Sequence, residues 1–270
     1  MMRKIAKFSL TMLLAAALLL MTAIPAAGFF VDGVGPFPNL INGTHRWLVN
    51  QGFDILDNEQ PAVASRFDEN ARALIWQYVD WPDSNERGDT LANRIMGTWH
   101  SHRGEDGLDT LGNAGITANT RFVHWYNIAL AYYADGDQEG AFAALGKSIH
   151  YLTDMASPPH AGERSFEVLG NCRIFNPFRV AVNAINHPVY EAWVNIVKYR
   201  HAVQCGGLYD DAVTYSPEEF GHQTAQYAMQ FYPFFGRGFF ANSNTRIAAP
   251  LHRAQRSVAG ILYRFYHDTK

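Results

Sequence analysis

The sequence predicts an all-α fold, with one domain of seven or more helices. Apolar residues recur at helical spacing almost throughout, and no convincing stretch alternates strictly between apolar and polar residues as a strand would. Of the 270 residues, 48% are hydrophobic and 17% are charged, which suits a domain with a substantial core. We find no internal repeat and no domain linker.

The predicted helices follow from the helical spacing of apolar residues along the chain. The first begins after Thr44, a residue type that caps helices well. A turn-forming Asp-Gly-Asp at 135–137 separates the third helix from the fourth. The predicted helices cover 45–56, 62–79, 122–134, 138–155, 186–202, 217–232 and 251–267. Two irregular stretches, 81–115 and 163–183, are predicted as loops, and loops of this kind often carry function.

The first 28 residues are predicted to be a secretory signal peptide, which leaves 29–270 as the mature domain. Arg3, Lys4 and Lys7 precede an apolar run over 10–21, and the small residues at 26–28 offer a cleavage site. The apolar run is shorter than the roughly 20 residues that a membrane-spanning helix needs. We therefore predict a secreted protein, extracellular or periplasmic, and no transmembrane segment after cleavage.

Without the leader's three basic residues, 19 Lys and Arg remain against 25 Asp and Glu, a net charge of −6. Such a chain has no long-range attraction for nucleic acid or anionic lipid. An anionic substrate would need a local cationic site, which bound metal ions supply.

The chain contains two cysteines, Cys172 and Cys205. In an exported protein they can form one disulfide, and the alternative is two reduced thiols. Two cysteines alone cannot complete a thiolate zinc site.

The segment HYLTDMASPPH at 150–160 is the strongest functional motif. His150 and Asp154 lie four residues apart and share one face of a helix. Two prolines then end that helix, and His160 follows in a constrained turn. An imidazole, a carboxylate and a second imidazole in this arrangement suit zinc.

A second pair with the same spacing, His187 and Glu191, strengthens the prediction of a metal site. One His–acid pair by itself is more often a simple surface pair, but two pairs in one helical protein favour a multi-metal centre. Further candidates lie upstream: His45 at a helix start, Asp83 in WPD, and His100 and His102 in WHSH. In contrast, His124 is predicted to be a packed core residue.

The stretch EGAFAALGKSIHYLTDMASPPHA at 139–161 resembles the signature of the bacterial zinc-dependent phospholipases C. The first helix, THRWLVNQGFDIL at 44–56, is similar to the first helix of that family. HSHRGEDG at 100–107 and the His187–Glu191 pair also resemble family motifs. SPEEFGH at 216–222 and AQRSVAGILYRF at 254–265 resemble its C-terminal helices. The similarity runs in order along nearly all of the mature chain.

The resemblance implies an all-α domain with three zinc ions in one cleft. His45 would bind one ion together with the mature N-terminus, and Asp154 would bridge to the next. The second ion would be completed by Asp83, His100 and His150. The third ion would be bound by His160, His187 and Glu191. Asp83 could also act as the base that orients the attacking water.

Three positions of this ligand set have alternatives. Cleavage after residue 28 would leave Phe29 at the N-terminus, where backbone atoms could chelate an ion. Asp80 lies three residues before Asp83 and competes with it, and His102 competes with His100.

The activity that the resemblance implies is hydrolysis of the glycerol-side phosphodiester of phospholipids, by a metal-activated water. The products would be diacylglycerol and a phosphorylated head group, and the substrate would be a phosphatidylcholine-like lipid in a membrane surface or micelle. A three-zinc nuclease specific for single-stranded nucleic acid is the alternative enzyme. The His-x3-Glu pattern at 187–191 and the small number of cysteines favour the phospholipase C. A non-catalytic exported zinc-binding protein is the alternative from a different class.

The sequence also leads us to expect a compact monomer without the C-terminal membrane-binding domain of the toxin members. The choline pocket of the family uses an acidic residue and aromatics, for which Asp32 and Trp81 are the candidates.

Overall fold

A computed structural model describes residues 43–86, 88, 97–164, 166–169, 172–232 and 243–270. The predicted signal peptide, Phe29 and Asp32 lie outside the described residues.

The predicted all-α class is confirmed. The α-helices of the described part are α1 (Thr44–Glu59), α2 (Pro61–Ala64), α3 (Glu69–Tyr78), α4 (Trp81–Asn85), α5 (Ala118–Ala134), α6 (Gln138–Met155), α7 (Pro158–Gly162), α8 (Pro177–Val197), α9 (Tyr209–Thr214), α10 (Pro217–Met229) and α11 (Ser243–Asp268). Short 3₁₀ helices cover Thr98–His100 and Lys198–His201. One small antiparallel hairpin joins β1 (Phe166–Leu169) and β2 (Cys172–Phe175), with Phe166 opposite Phe175.

Side-chain caps explain where several helices begin. Asp68 accepts a hydrogen bond from the backbone of Ala71, so the predicted helix over 62–79 is divided into α2 and α3. Thr117 and Thr120 form a reciprocal capping box, which starts α5 four residues earlier than predicted. Gly43, and not Thr44, is the N-cap of α1, so the predicted cap was wrong by one residue.

The prolines after α6 also begin the next helix, α7. Pro158 and Pro159 occupy the first turn of α7, where the missing N–H of proline costs nothing. His160 therefore lies on a short helix, where the sequence predicted a turn. The prediction that 163–183 is a loop was also incomplete, because this range contains the hairpin and the start of α8.

The centre of the molecule is α6, which packs along α5 and against α3. From Ser148 to Met155 every residue of α6 is buried, so this half of the helix has no solvent-facing side. Polar side chains here must find partners inside the protein, because an unpaired buried polar group costs free energy. At the other side of the core, α1 packs against α11.

Three smaller sequence predictions can be compared with the structure. None of the described helices is both long and apolar enough to cross a membrane. Cys205 is an exposed free thiol, which corresponds to the reduced alternative, while the side chain of Cys172 is outside the described part. The prediction for His124 was wrong: it is exposed on α5, with its ring against the edge of Trp125.

Candidate metal centre

The buried half of α6 directs His150 and Asp154 toward residues from five other segments. His45 comes from the first turn of α1, Asp83 from α4 and His100 from a 3₁₀ helix. Helix α7 contributes His160, and α8 contributes His187 and Glu191. Nitrogen and carboxylate oxygen atoms of these residues form three groups, each with its atoms within 4.8 Å of one another. We call them the first, second and third clusters.

The third cluster consists of His160, His187 and Glu191. The Nε2 atoms of His160 and His187 lie 3.1 Å apart. Glu191 Oε1 lies 3.2 Å from His160 Nε2 and 2.8 Å from His187 Nε2. His187 and Glu191 meet because they are four residues apart on α8.

The second cluster consists of Asp83, His100 and His150. His150 Nε2 lies 3.0 Å from His100 Nδ1. Asp83 Oδ1 lies 3.6 Å from His150 Nε2 and 3.8 Å from His100 Nδ1. All three side chains are buried.

The first cluster consists of His45, His150 and Asp154, so His150 is shared with the second cluster. Asp154 joins all three clusters. Its Oδ2 lies 2.9 Å from His100 Nδ1 and 3.2 Å from His150 Nε2. Its Oδ1 lies 3.5 Å from His45 Nε2 and 3.8 Å from His160 Nε2, and this buried oxygen has no hydrogen bond within the described residues. A buried carboxylate oxygen between two imidazoles is well placed to bind a cation.

The outer hydrogen bonds of the histidines fix their tautomers. His100 Nε2 lies 3.1 Å from the carbonyl oxygen of Glu86, and His160 Nδ1 lies 2.7 Å from the carbonyl oxygen of His100. A carbonyl oxygen can only accept, so each of these ring nitrogens donates its proton. The other nitrogen of each neutral ring then offers its lone pair to the cluster.

His45 is oriented in the same way. The hydroxyl of Thr153 is within hydrogen-bonding distance of the carbonyl oxygens of Ile149 and His150, at 3.0 and 2.8 Å. Because its single proton points to these carbonyls, the hydroxyl accepts from His45 Nδ1 at 2.7 Å. His45 Nε2 therefore presents its lone pair toward Asp154. Such outer-shell hydrogen bonds are typical of metal-binding histidines.

In the absence of a metal, neighbouring carboxylates favour the protonated form of His150. Burial would lower the pKa of His150, but Asp154 and Asp83 outweigh it and raise the pKa to about 9. Burial would raise the pKa of Asp154, but His150 and His160 hold this pKa well below its usual value. For Asp83, burial prevails and the pKa is raised.

The third cluster follows the same pattern. Burial would lower the pKa of His187, but the carboxylates of Glu163 and Glu191 raise it well above its usual value. Burial would raise the pKa of Glu191, but His187 and His160 lower it. Glu163 Oε1 lies 3.2 Å from His187 Nδ1, on the side of the ring away from the cluster.

The donors and their spacing fit zinc. Zinc binds imidazole nitrogen and carboxylate oxygen at about 2.0–2.2 Å, so two ligands of a tetrahedral site lie about 3.3 Å apart. The separations within the second and third clusters range from 2.8 to 3.8 Å. The clusters are thus three sites that could bind metal ions.

The two alternative candidates of the sequence analysis have other contacts. Asp80 Oδ2 forms an ion pair with Arg46 Nε at 2.8 Å. His102 lies 3.2 Å from the hydroxyl of Thr117, and its Nε2 lies 2.9 Å from Nδ1 of His222. Burial and the nearby His222 lower the pKa of His102 to about 3, so this ring stays neutral. Neither Asp80 nor His102 belongs to the three clusters found among the described residues.

Three residues that orient the histidines were not predicted from the sequence: Glu86, Thr153 and Glu163. Thr153 lies three residues after His150, and Glu163 lies three residues after His160, so both are near a predicted ligand in sequence. A search for polar residues beside each candidate ligand would have found these two. Glu86 lies 14 residues before His100 in sequence, and only the fold brings the two into contact.

No protein-family model matches the chain. Two curated proteins of Bacillus cereus, both named Phospholipase C, are similar to it. The first is 27% identical over 195 residues and the second 25% identical over 197 residues. Each match covers 70% of this chain and 62% of the relative, so the chain spans less than two thirds of the length of these relatives.

Two solved structures have a similar fold. The alpha toxin of Clostridium absonum matches with a TM-score of 0.66 at 19% identity, over 85% of this chain and 64% of the toxin. The alpha-toxin of an avian strain of Clostridium perfringens matches with a TM-score of 0.65 at 18% identity, over 84% of this chain and 64% of the toxin. At these identities the likeness shows a common fold. The resemblance to bacterial phospholipases C is confirmed by the curated relatives.

Proposed function

We propose that this chain, which is similar in sequence to bacterial phospholipases C, is an exported zinc-dependent phosphodiester hydrolase of that type. Its substrate would be a phospholipid, cleaved on the glycerol side of the phosphate to diacylglycerol and a phosphorylated head group. The ligands would be His45, Asp83, His100, His150, Asp154, His160, His187 and Glu191, with the backbone of Phe29 as a further ligand.

The observation that carries the proposal is the position of Asp154 between the three clusters. Its two oxygens face imidazoles of all three, at 2.9 to 3.8 Å. This arrangement supports several closely spaced cations, which would bind the monoanionic phosphodiester group of a phospholipid. The net charge of −6 predicted for the mature chain provides no long-range attraction for an anion.

The residues of the chain have separate tasks in this proposal. Bound zinc ions would polarise the phosphodiester and lower the pKa of a coordinated water. The imidazoles of His45, His100 and His160 are held in one tautomer and one orientation before substrate arrives, so these rings require little reorganisation. Asp83, buried and with a raised pKa, is the candidate base that orients the attacking water and accepts its proton.

The first test combines metal analysis with an activity assay. The mature protein, purified after export, should contain three zinc ions and should release diacylglycerol from phosphatidylcholine micelles. The variant His150→Ala should lose hydrolysis and hold less zinc, because His150 belongs to two clusters. The variant His124→Ala is the matched control, since His124 is exposed on α5. One zinc or none in the wild type, or an active His150→Ala, would refute the proposal.

The same preparation separates the alternatives. Release of mononucleotides from single-stranded DNA, without release of diacylglycerol, would identify a nuclease. A zinc-dependent rise in melting temperature, with every phosphodiester left intact, would identify a binding protein. N-terminal sequencing of the exported protein tests the other part of the proposal, and it should begin at Phe29.

A further inference from the structure

We infer that Glu86 is a positioning residue that holds the second cluster together. The inference rests on the proposed function, because it assigns Glu86 a role in the binding of one proposed zinc ion. Glu86 itself does not reach the cluster with its carboxylate. It acts through its backbone on His100 and through its side chain on the helices behind the cluster.

The backbone of Glu86 contacts two of the three segments that form the second cluster. Its carbonyl oxygen accepts the Nε2 proton of His100 at 3.1 Å, which leaves His100 Nδ1 facing His150 and Asp83. Its N–H donates to the carbonyl oxygen of Pro82 at 2.7 Å and closes the C-terminal end of α4, the helix that carries Asp83. One residue therefore sets the position of two ligands.

The side chain of Glu86 connects this backbone to the third segment. Its Oε2 accepts a hydrogen bond from the hydroxyl of Tyr151 at 2.6 Å, and Tyr151 follows His150 directly on α6. The same oxygen accepts from the indole of Trp125 on α5 at 2.8 Å, and Oε1 pairs with Arg121. With three donors and only 11% of its surface exposed, the carboxylate is held in one place.

The carboxylate of Glu86 pairs with Arg121 and also interacts electrostatically with Lys147. The guanidinium of Arg121 also lies near the rings of Trp99 and Trp125, 5.4 and 5.6 Å from their centroids. The ammonium of Lys147 lies 4.0 Å from the centroid of Trp125. A glutamine at position 86 would remove the negative charge that pairs with Arg121 and would replace one acceptor oxygen with a donor amide. We expect the carbonyl oxygen of residue 86 to shift and the hydrogen bond to His100 to weaken.

The test measures zinc affinity, not activity alone. The metal-free mature protein is titrated with zinc in competition with a chromophoric chelator, which gives the affinity of each successive ion. Loss of an outer-shell partner of a metal-binding histidine lowers metal affinity by about 10- to 100-fold. For Glu86→Gln we expect this loss for one ion and unchanged affinities for the others. The exposed Glu139→Gln on α6 is the matched control and should titrate like the wild type.

A second variant keeps the test valid if Glu86→Gln does not fold. Tyr151→Phe removes only the hydroxyl that donates to Glu86 and retains the buried ring beside His100 and His150. We expect a smaller loss of affinity, for the same ion. Unchanged affinities in both variants, or an equal loss for all ions, would overturn the inference, since a purely structural defect would not select one ion.

The outcomes for the inference and for the proposed function differ. A wild-type protein that binds zinc but leaves phospholipid intact would refute the proposed function, and selective loss of one ion in Glu86→Gln would still support the inference. A wild-type protein that binds no zinc would refute both.

Discussion

Asp80 and Asp83 lie three residues apart, are both buried, and have different partners. Asp80 pairs with Arg46, whereas Asp83 faces the imidazoles of His100 and His150. Asp80 is the N-cap residue of α4, whereas Asp83 lies within this helix. Their partners come from distant segments of the chain, so the sequence pattern could not show which aspartate faces the clusters.

Substitution of the two aspartates should separate stability from metal binding. Asp83→Asn should hold less zinc and lose hydrolysis by about 10²- to 10⁴-fold, the usual range for removal of a general base. Asp80→Asn should keep its zinc and lose about 1–3 kcal/mol of unfolding free energy, because Arg46 is left without its carboxylate. Metal analysis and thermal denaturation of both variants measure these effects. Zinc loss in Asp80→Asn alone would reverse the two assignments.

The raised pKa values in the clusters predict that zinc displaces protons. His150 has a pKa of about 9 and the pKa of His187 is well above its usual value, so both rings are protonated at pH 7 in the metal-free protein. A histidine must be neutral to bind zinc, so binding should release about two protons. The apparent zinc affinity should therefore rise as the pH is raised toward 9.

Calorimetry in two buffers with different ionisation enthalpies measures this release. His150→Ala lacks one of the two protonated rings and should release about one proton fewer in total than the wild type. A binding enthalpy that is independent of the buffer would contradict the pKa values of both histidines.

Helices α3 and α6 can pack closely because Gly146 of α6 has no side chain at their contact. A Cβ atom at Gly146 would lie 2.5 Å from the carbonyl oxygen of Ile75, a backbone atom that cannot move away cheaply. Gly146 lies four residues before His150 on the same helix. The close contact between α3 and α6 therefore sets the depth at which the metal-binding half of α6 is buried.

Gly146→Ala should be destabilising even though alanine favours helices. Intrinsic propensity would stabilise the variant by up to about 1 kcal/mol, while overpacking costs about 1–3 kcal/mol. We expect a lower melting temperature and weaker zinc binding. Gly115→Ala is the control, because a Cβ there has nothing within 4 Å. A higher melting temperature for Gly146→Ala would contradict this prediction, because it would show that α3 can move away from α6 without loss of stability.

The elements also show which parts of the fold and site were predictable. Helix α6 was predicted with its observed bounds, and the pairs His150–Asp154 and His187–Glu191 followed from the helical repeat, which is a local property. The break between α2 and α3 was missed because it depends on one capping side chain, Asp68. His100 and His102 could not be separated, since their directions depend on contacts with Asp154 and His222 from distant segments.

The proposed side-chain ligands come from segments spread along the chain, from His45 on α1 to Glu191 on α8. Ions that bind these residues would link α1, α4, α6, α7 and α8. A ligand that binds only the folded state stabilises it by about 2.7 kcal/mol when its free concentration is 100 times its Kd. Zinc would therefore contribute to the stability of the whole domain.

Removal of zinc should lower the melting temperature of the entire domain. For a domain of this size 1 kcal/mol corresponds to about 2–4 °C, so one ion at this concentration accounts for about 5–10 °C. A chelator should lower the single thermal transition by at least this amount, and added zinc should restore it. Calcium in place of zinc is the control, because it prefers more oxygen ligands than the clusters offer. An unchanged transition would show that the clusters are stable as a hydrogen-bonded network.

The packing of α1 against α11 has a consequence for the time at which the site can form during synthesis. The first turn of α1 carries His45, but Gly52 on the same helix lies against Val258 and Ala259 of α11, which follows every proposed ligand in the chain. A ribosome releases residues in order, at about 5–20 per second. The helix with the earliest ligand therefore waits about ten seconds or more for its packing partner. Until then His45 remains accessible to other molecules, such as chaperones.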